Sequence, residues 1–521
     1  MAVDSKKEKE REEVHRAIWA IADELRGAVD GWDFKNYVLG TMFYRYISEN
    51  LTAYINAGEI EAGNEGFDYA KMSDDEAEEA REGLVEEKGF FILPSELFCN
   101  VRARAYQDPN LNETLEKVFR NIEESAKGSQ SENSFAGLFD DYDVNSNKLG
   151  STVAKRNERL AKLLDGIAAM NLGSVKEHNI DAFGDAYEYL MTMYASNAGK
   201  SGGEFFTPAD VSELLTKLGT VGKTTVNKVY DPACGSGSLL LKAEKVLGKD
   251  AVTIGFFGQE INITTYNLCR INMFLHDVGF DKFDVACEDT LINPQHWDDE
   301  PFELIVSNPP YSIKWAGDDN PLLINDPRFS PAGVLAPKSK ADMAFVMHAL
   351  SWLAPNGTAA IVCFPGIMYR GGAEQKIRKY LIDNNYVDCV IQLPGNLFFG
   401  TPIATCIMVM KKGKVDNNVL FIEASNEYVK VTSNNRLAPK NIDRIVDTYT
   451  KRETIPHFSY LASYDEIAKN SYNLSTSTYV EADIKRAEID IDKVNAEIDS
   501  IVEKENELRE AIKKIIEEVE D

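Results

Sequence analysis

The chain has 521 residues, a hydrophobic content of 44% and a formal net charge of −28. This length predicts two to four domains, and the hydrophobic content is normal for a globular protein. The negative charge argues against a protein that grips DNA alone over a long basic face, because phosphate neutralisation supplies much of such binding. There is no run of about 18 apolar residues, so we expect no transmembrane helix.

The N-terminal sequence MAVDSKKEKEREEVH is charged and lacks the apolar region of a secretory signal, so we expect a cytoplasmic protein. The seven cysteines show no CxxC spacing, and five of them lie in or beside apolar segments. Buried reduced thiols are therefore expected rather than disulfides or metal ligands. The six histidines show no HxxxH or HExxH spacing, so no zinc site is indicated.

The first part of the chain is predicted to be helical. Apolar residues in EREEVHRAIWAIADELRG recur close to a 3.6-residue period, and YVLGTMFYRYIS continues the pattern, which predicts helices over residues 8–60. Residues 73–88 are acidic and predict a solvated helical surface, whereas residues 127–147 are typical of a loop. We therefore expect a helical N-terminal domain over residues 1–170.

Short apolar runs alternate with helix-length segments from about residue 226 onward. This alternation predicts a buried parallel sheet with helices on both faces. The loop PGNLFFGTP alone separates the last two runs and suits an antiparallel hairpin at one edge. Seven strands with a final hairpin are typical of the class I methyltransferase form of the doubly wound α/β fold, which we predict for residues 171–475. The predicted strands are 227–233, 253–260, 283–289, 302–310, 357–364, 387–394 and 404–412.

The C-terminal segment, residues 476–521, shows a coiled-coil pattern. Its apolar residues follow alternating spacings of three and four, with Glu505 as the one polar interruption. The stripe is narrow and the remaining positions are densely charged, which favours a helix that pairs with a partner for subunit assembly. An amphipathic helix packed on its own chain is the alternative. The stripe consists of Ile484, Ala487, Ile491, Val494, Ile498, Ile501, Leu508, Ile512, Ile515 and Val519.

The segment Asp231-Pro-Ala-Cys-Gly-Ser-Gly-Ser238 follows a predicted strand and opens a predicted helix. Glycines at such a turn let the backbone approach a ligand. Leu240 stands where a dinucleotide-binding motif has its third glycine, so a dinucleotide site and a simple tight turn both remain open. The acid Asp231 would repel a phosphate but attract an ammonium group, which suits the methionine part of S-adenosylmethionine.

Two more acids follow strand ends in order. Glu260 closes the second strand, and Asp289 follows the third. Ligands of such sheets bind at the carboxyl ends of the strands. Glu260 could accept hydrogen bonds from both ribose hydroxyls, and Asp289 could accept one from an adenine amino group. Either acid alone could be a solvated loop residue, but three acids at successive strand ends indicate a nucleoside cofactor.

The tetrapeptide Asn308-Pro309-Pro310-Tyr311 ends the fourth strand. An amino nitrogen on an aromatic ring is a poor nucleophile because its lone pair is delocalised. The Asn308 side-chain oxygen and the Pro309 carbonyl could accept its two hydrogens, and the prolines fix the backbone so that these oxygens converge. Tyr311 offers a stacking face for a base swung out of a duplex. A plain strand-ending turn is the alternative.

These segments stand in the order of an N6-adenine methyltransferase, and the chain resembles the modification subunits of type I restriction–modification systems. The helical N-terminus and the segments DAYEYLM, YRGGAEQKIRKYLI and QLPGNLFFGTPIAT extend this resemblance over nearly the whole chain. In that family, the target base is held by Asn308, Pro309, Pro310 and Tyr311, with Phe399 or its neighbour Phe398 on the other side. Glu260 would take the ribose and Asp289 the adenine. The methionine end would be lined by Glu204, Phe205, Phe206, Thr207 and Pro208, and by Asp231, Gly235, Ser236, Gly237 and Ser238.

The resemblance implies S-adenosylmethionine as cofactor and methylation of adenine N6 in duplex DNA. It also implies a specificity subunit, a restriction subunit and a second copy of the chain as partners. The sequence agrees, since about 70 residues without an obvious DNA-reading domain separate the last predicted strand from the heptads. A non-catalytic assembly subunit, a protein glutamine N-methyltransferase and an N4-cytosine methyltransferase are the alternatives.

Overall fold

The computed structural model describes residues 2–25, 31–172, 182–197, 207–398, 401–431, 434–482 and 491–520. The chain divides into two compact units, Met1–Val480 and Glu481–Asp521. Among the described residues, no helix is long and apolar enough to cross a membrane.

The N-terminal part is helical, as predicted. The long α1 (Ala2–Leu25) and α2 (Gly31–Glu61) cover the predicted helical stretch, and the acidic surface forms two short helices. The stretch predicted as a loop contains one further short helix. The remaining helices here are α3 (Asp74–Glu78), α4 (Arg81–Lys88), α5 (Phe98–Arg104), α6 (Leu111–Ser125), α7 (Glu132–Phe135), α8 (Val153–Ala169) and α9 (Ala182–Asn197).

The central feature of the larger unit is a nine-stranded mixed sheet with the order β11-β8-β6-β7-β5-β4-β1-β2-β3. Its strands are β1 (Val226–Asp231), β2 (Val252–Glu260), β3 (Phe283–Cys287), β4 (Phe302–Ser307), β5 (Leu353–Cys363), β6 (Val387–Gln392), β7 (Cys406–Lys411), β8 (Val419–Glu423) and β11 (Ser459–Ala462). A separate hairpin consists of β9 (Val429–Val431) and β10 (Asn434–Arg436). Strands β3, β2, β1, β4 and β5 run parallel, and β7 is antiparallel to both of its neighbours.

All seven predicted strands are present, which confirms the methyltransferase fold class. The antiparallel pairing of β6 with β7 is also confirmed, but its predicted place at an edge is wrong. Strand β8 pairs in parallel with β6, and β11 pairs antiparallel with β8, so the sheet continues beyond the hairpin. The extension has a physical basis, because Val419, Leu420, Phe421 and Ile422 are all buried and need cover on this side.

Helices cover both faces of the sheet and divide the apolar core into two layers. One layer includes α10 (Ala209–Gly219), α11 (Ser238–Leu247), α12 (Ile263–Leu275), α15 (Pro439–Lys451) and the N-terminal helices. The other includes α13 (Asp342–Trp352), α14 (Ala373–Asp383) and α16 (Tyr464–Lys469). This cover on both faces explains why the strands are apolar along nearly their whole length.

The N-terminal helices pack directly against α12. The rings of Phe43 and Phe274 lie 5.7 Å apart, and the buried guanidinium of Arg270 donates to the carbonyls of Asn133 and Ala136, both at 2.9 Å. These contacts make residues up to Val480 one compact unit. The boundary near residue 170 therefore stays a prediction from the sequence pattern.

The smaller unit contains one long helix, α17 (Ile491–Glu520). Four residues of the predicted heptad stripe have described side chains, and all four are exposed. They are Ile498, Ile501, Leu508 and Ile512. An apolar stripe left in water at regular helical spacing favours a binding surface.

Candidate active site

Helix α12 packs against the turn between β1 and α11. Gly237 has φ +77°, and a Cβ at this position would lie 2.6 Å from the Cys269 sulfur, so only glycine fits. The buried Asn272 donates from Nδ2 to the Ser236 carbonyl at 2.8 Å. The helix α12 thus fixes the predicted cofactor turn by close packing and by a hydrogen bond.

Asp231 lies at the carboxyl end of β1 and is buried. Its Oδ1 accepts hydrogen bonds from the Ser307 hydroxyl at 2.7 Å and the Ala233 amide at 3.0 Å. Burial raises the pKa of Asp231 to about 7, although both hydrogen bonds act in the opposite direction. Its Oδ2 accepts no hydrogen bond from the described residues. These two hydrogen bonds therefore tie the end of β1 to the turn after it and to the end of β4.

Glu260 and Asp289 lie at the ends of the neighbouring strands. Glu260 accepts hydrogen bonds from the amides of Gly235, at 3.1 Å, and Asn262, at 2.8 Å, and burial raises its pKa. Asp289 accepts the Leu291 amide on Oδ1 at 2.9 Å. The buried Gln259 donates to the carbonyls of Glu288 and Asn293 and so holds the loop that carries Asp289.

A cavity of about 370 Å³ opens at this edge of the sheet. Its volume falls within the range of small-molecule sites. Glu260 and Asp289 both line it, together with Pro310 from the predicted base-holding tetrapeptide. The apolar side chains around these acids are Ile261, Leu291, Ile313, Trp315 and Phe345. Glu288 and Lys314 also line the cavity, so it combines three acids and one base with apolar side chains. Carboxylates beside apolar side chains suit a nucleoside with hydroxyl and amino donors.

Asn308 stands just beyond the end of β4, next to this cavity. Its Nδ2 donates to the Thr207 hydroxyl at 3.1 Å, and its Oδ1 accepts the Tyr311 hydroxyl. Ser312, which follows Tyr311, has φ +52°. Its amide donates to both oxygens of Asp342, at 3.2 and 3.1 Å. These contacts fix the amide plane of Asn308 and the backbone that follows it.

The loop between β6 and β7 closes the other side of Tyr311. Phe398 is buried, and its ring packs edge-on against the Tyr311 ring with centroids 6.3 Å apart. The hairpin β9–β10 holds this loop, since Asn435 donates from its amide to Asn396 O at 2.9 Å and from Nδ2 to Gly395 O at 2.7 Å. Phe399 lies outside the described residues.

The structure thus brings most of the predicted site residues to one edge of the sheet. Thr207 contacts Asn308, Pro208 precedes α10, and the three acids stand at successive strand ends. Glu204, Phe205 and Phe206 lie outside the described residues. Sequence reasoning missed several residues that hold this site, because single buried polar residues inside strands, helices and loops carry no pattern of their own. They include Gln259, Cys269, Asn272, Thr290, Ser307 and Arg328.

A second cluster of polar groups lies away from this cavity. Ligand atoms of Asp284, His296 and Asp299 lie within 4.8 Å of one another. Both nitrogens of the buried His296 already face acceptors, Nδ1 the Asp299 carboxylate and Nε2 the Gly258 carbonyl, each at 2.9 Å. Lys228 also donates to the Asp299 carbonyl. We therefore interpret this cluster as a structural contact between the loop after β3 and strand β2.

Comparison with known proteins identifies the family. Residues 178–488 match the N-6 DNA Methylase family, and residues 14–167 match the HsdM N-terminal domain. The methylase subunit of the type I restriction enzyme MpnII from Mycoplasma pneumoniae is 49% identical, over 99% of this chain and 98% of that subunit. The chain belongs to the N-6 DNA methylase family of type I restriction enzyme methylase subunits.

Solved structures agree with this family. The methyltransferase subunit of the type I restriction–modification system from Streptococcus thermophilus superposes with a TM-score of 0.81. It is 35% identical, and the match covers 90% of this chain and 100% of that one. This methylase subunit is accordingly an N6-adenine DNA methyltransferase by family. That assignment confirms the expected adenine methyltransferase over the alternatives of a glutamine or cytosine methyltransferase.

Proposed function

We propose that the chain transfers a methyl group from S-adenosylmethionine to N6 of adenine in duplex DNA. The observation that carries this proposal is the juxtaposition of Glu260, Asp289 and Pro310 around one cavity. Glu260 and Asp289 offer acceptors for a nucleoside, and Pro310 belongs to the backbone segment that carries Asn308. The acids and the apolar wall fit the adenosine part of the cofactor, whose sulfonium methyl group is the electrophile of the reaction.

The acids divide the recognition of the cofactor among them. Glu260 has lone pairs left beyond its two amide hydrogen bonds and would accept the ribose hydroxyls, while Asp289 would accept from the adenine amino group. Asp231 would attract the ammonium of the methionine part through its Oδ2. The turn Gly235–Ser238 and residues 204–208 complete the lining of the methionine end.

The tetrapeptide prepares the adenine amino group for attack. Asn308 Oδ1 and the Pro309 carbonyl accept its two hydrogens, which pulls the nitrogen toward a tetrahedral form and localises its lone pair. Pro310 keeps the backbone rigid, and Tyr311 stacks on the base with Phe398 or Phe399 opposite. A nitrogen–carbon bond then forms as the carbon–sulfur bond breaks. N6 loses one proton, and S-adenosylhomocysteine leaves.

Other subunits would supply the DNA recognition that this acidic chain does not provide by itself. We infer that a specificity subunit reads the DNA, that a restriction subunit joins for cleavage, and that a second copy of this chain methylates the other strand. The predicted division into residues 1–170, 171–475 and 476–521 gives the assembly role to the last segment, whose four described heptad side chains are exposed. The buried free thiols support a reducing, cytoplasmic setting.

The test of the transfer is a labelling experiment. The chain is combined with its specificity subunit, duplex DNA and S-adenosylmethionine labelled in the methyl group, and the DNA is digested to nucleosides. We expect the label in N6-methyl-2′-deoxyadenosine. Label in N4-methylcytosine, or label retained on protein with none in DNA, would overturn the proposal.

The assembly role of the last segment has its own test. Removal of residues 480–521 should weaken assembly with the specificity subunit while cofactor affinity stays unchanged. Light scattering after size exclusion measures the first effect, and calorimetry measures the second. Unchanged assembly would contradict the role given to the heptads.

A further inference from the structure

Arg328 is a buried cation beside the cavity. It lies between β4 and α13, within residues 312–341, and its side chain is 1% exposed. Nη1 donates to the Thr290 carbonyl at 2.7 Å, and Nη2 donates to the Leu291 carbonyl at 2.8 Å. These two carbonyls directly follow Asp289, so the guanidinium grips the backbone of the turn that presents this acid.

The charge of Arg328 is balanced locally. Its Nε and Nη2 donate to the Asp326 carboxylate at 3.0 and 2.8 Å. Its Nη1 also faces Nδ1 of the buried His348 at 3.2 Å, which makes that nitrogen an acceptor. The other nitrogen, Nε2, then carries the hydrogen and donates to the Tyr230 hydroxyl at 2.9 Å. Burial lowers the pKa of His348 well below its usual value, in keeping with this neutral form.

These contacts join three parts of the site that are far apart in sequence. Tyr230 directly precedes Asp231 on β1, and the Thr290 hydroxyl donates to the Pro232 carbonyl at 2.6 Å. The turn after β3 is thereby tied to the turn after β1 and, through Arg328, to the segment after the Asn308 tetrapeptide. A buried charge is costly unless it is paired and hydrogen-bonded. Here the charge is paired with Asp326, and the two carbonyl partners belong to Thr290 and Leu291, which line the cavity.

We propose that Arg328 is a positioning residue for cofactor specificity, which holds Asp289 where it can select adenine by its amino group. This inference rests on the proposed use of S-adenosylmethionine. It goes further by assigning selection of the base to a residue that does not line the cavity. Loss of the guanidinium would release the turn 289–291 but leave the Asp289 carboxylate in the chain. Recognition of the adenine amino group should then weaken, while the cavity remains.

The experiment compares the reaction product with an analogue that differs in the base at position 6. S-adenosylhomocysteine carries the amino group that Asp289 would accept from, whereas S-inosylhomocysteine carries a carbonyl in its place. Calorimetry of the full chain measures both dissociation constants. The native protein should prefer the adenine analogue by about tenfold or more, and Arg328→Ala should reduce this preference to roughly threefold or less.

Arg378 provides the matched control. It is also 1% exposed and donates to two backbone carbonyls, those of Tyr472 at 2.8 Å and Ile367 at 2.7 Å. Unlike Thr290 and Leu291, neither of these residues lines the cavity. Arg378→Ala should lower the melting temperature and keep the preference for adenine. Added guanidinium should restore part of the preference in Arg328→Ala and leave Arg378→Ala unchanged.

The outcomes separate the two proposals. A native chain that binds neither analogue would overturn S-adenosylmethionine as the cofactor, and this inference with it. A native preference that persists in Arg328→Ala would overturn only the role of Arg328. If Arg328→Ala does not fold, Asp326→Asn answers the same question, because it keeps the guanidinium but loosens its orientation. It should then lower the preference by a smaller factor, and an unchanged preference would contradict the inference.

Discussion

The two halves of the site are prepared in different ways. On the cofactor side, Asp231, Glu260 and Asp289 each accept at least one internal hydrogen bond, and a cavity of about 370 Å³ lies open beside two of them. On the base side, the amide of Asn308 already has a protein partner at each end, Thr207 and the Tyr311 hydroxyl.

The difference concerns how each proposed ligand would be received. On the proposed cofactor side, the carboxylates of Glu260 and Asp289 lie beside open space. The oxygen that would accept the adenine amino group is engaged by Tyr311, so the base has to compete for it. Preformed acceptors lower the cost of ordering a site. Substitutions on the cofactor side should therefore change the affinity for the cofactor, and substitutions on the base side should change kcat.

Asn308→Ala should have the largest effect of the substitutions considered, and this effect should be on kcat alone. Loss of the side-chain oxygen removes one of the two acceptors that localise the lone pair, and kcat should fall by about 10³-fold. Affinity for S-adenosylmethionine should stay within roughly threefold, since Asn308 does not line the cavity. Single-turnover methylation and calorimetry measure the two quantities. Normal turnover in this variant would refute the mechanism.

Asp231→Asn should separate stability from cofactor binding. The pKa of Asp231 is raised to about 7, above the value near 4 of an unfolded chain. Between these values the folded state binds more protons, so the native protein loses stability as pH rises through about 7. Asparagine removes this loss, and unfolding by urea at pH 8 should show a gain on the order of 4 kcal/mol that is absent at pH 4.

The same variant should lose affinity and its dependence on pH. In the native protein, protonation of Asp231 removes the charge that attracts the ammonium, so affinity for S-adenosylmethionine should weaken by up to about tenfold per pH unit below 7. Asparagine should give weak binding that is flat between pH 6 and 8. Calorimetry at several pH values provides the measurement, and a native affinity independent of pH would contradict the role of the carboxylate.

Thr207→Val should lower turnover less than loss of Asn308 does. Valine keeps the shape of threonine but cannot accept the hydrogen bond from Nδ2, so the Asn308 amide is free to rotate. We expect kcat to fall by about tenfold, with cofactor affinity retained. Thr207→Ser keeps the hydroxyl and should stay close to the native rate. Equal rates for the valine and serine variants would show that this hydrogen bond does not orient Asn308.

Tyr311→Phe should have the smallest effect. The ring that stacks on the base remains, while the hydroxyl that competes for Asn308 Oδ1 is removed. The rate should stay within about threefold of native, and the KM for DNA should be unchanged or lower. Steady-state kinetics at saturating S-adenosylmethionine measure both. A strong rise in the KM for DNA would mean that the hydroxyl assists the base rather than competes with it.

The sequence predicted the strands and acids of this site better than the contacts that hold them together. Period and apolar runs place the strands, and acids at strand ends mark the cofactor side, because parallel strands bring their carboxyl ends to one edge. The place of Glu260 beside Asp289 follows from that rule alone. The extension by β8 and β11 escaped prediction, since short strands within a mixed segment give no clear periodicity.

The missed residues share a different physical cause. Arg328, Asn272 and Ser307 act through hydrogen bonds to backbone groups or side chains far away in sequence, and such partners are known only once the chain is folded. Thr207 was assigned to the cofactor by resemblance, yet its hydroxyl contacts Asn308. A motif therefore indicates the neighbourhood of a residue more reliably than its individual contact.

The hydrogen bond from Ser307 to Asp231 spans 76 positions of the chain, and the one from Asn308 to Thr207 spans 101. Contacts between such distant positions form late in folding, because the intervening chain must first be ordered. During synthesis, the turn at 231–238 emerges long before Arg328 and His348 can brace it. Binding of the nucleoside would thus mark the completion of folding, and only a finished chain would hold a methyl donor ready for its partners.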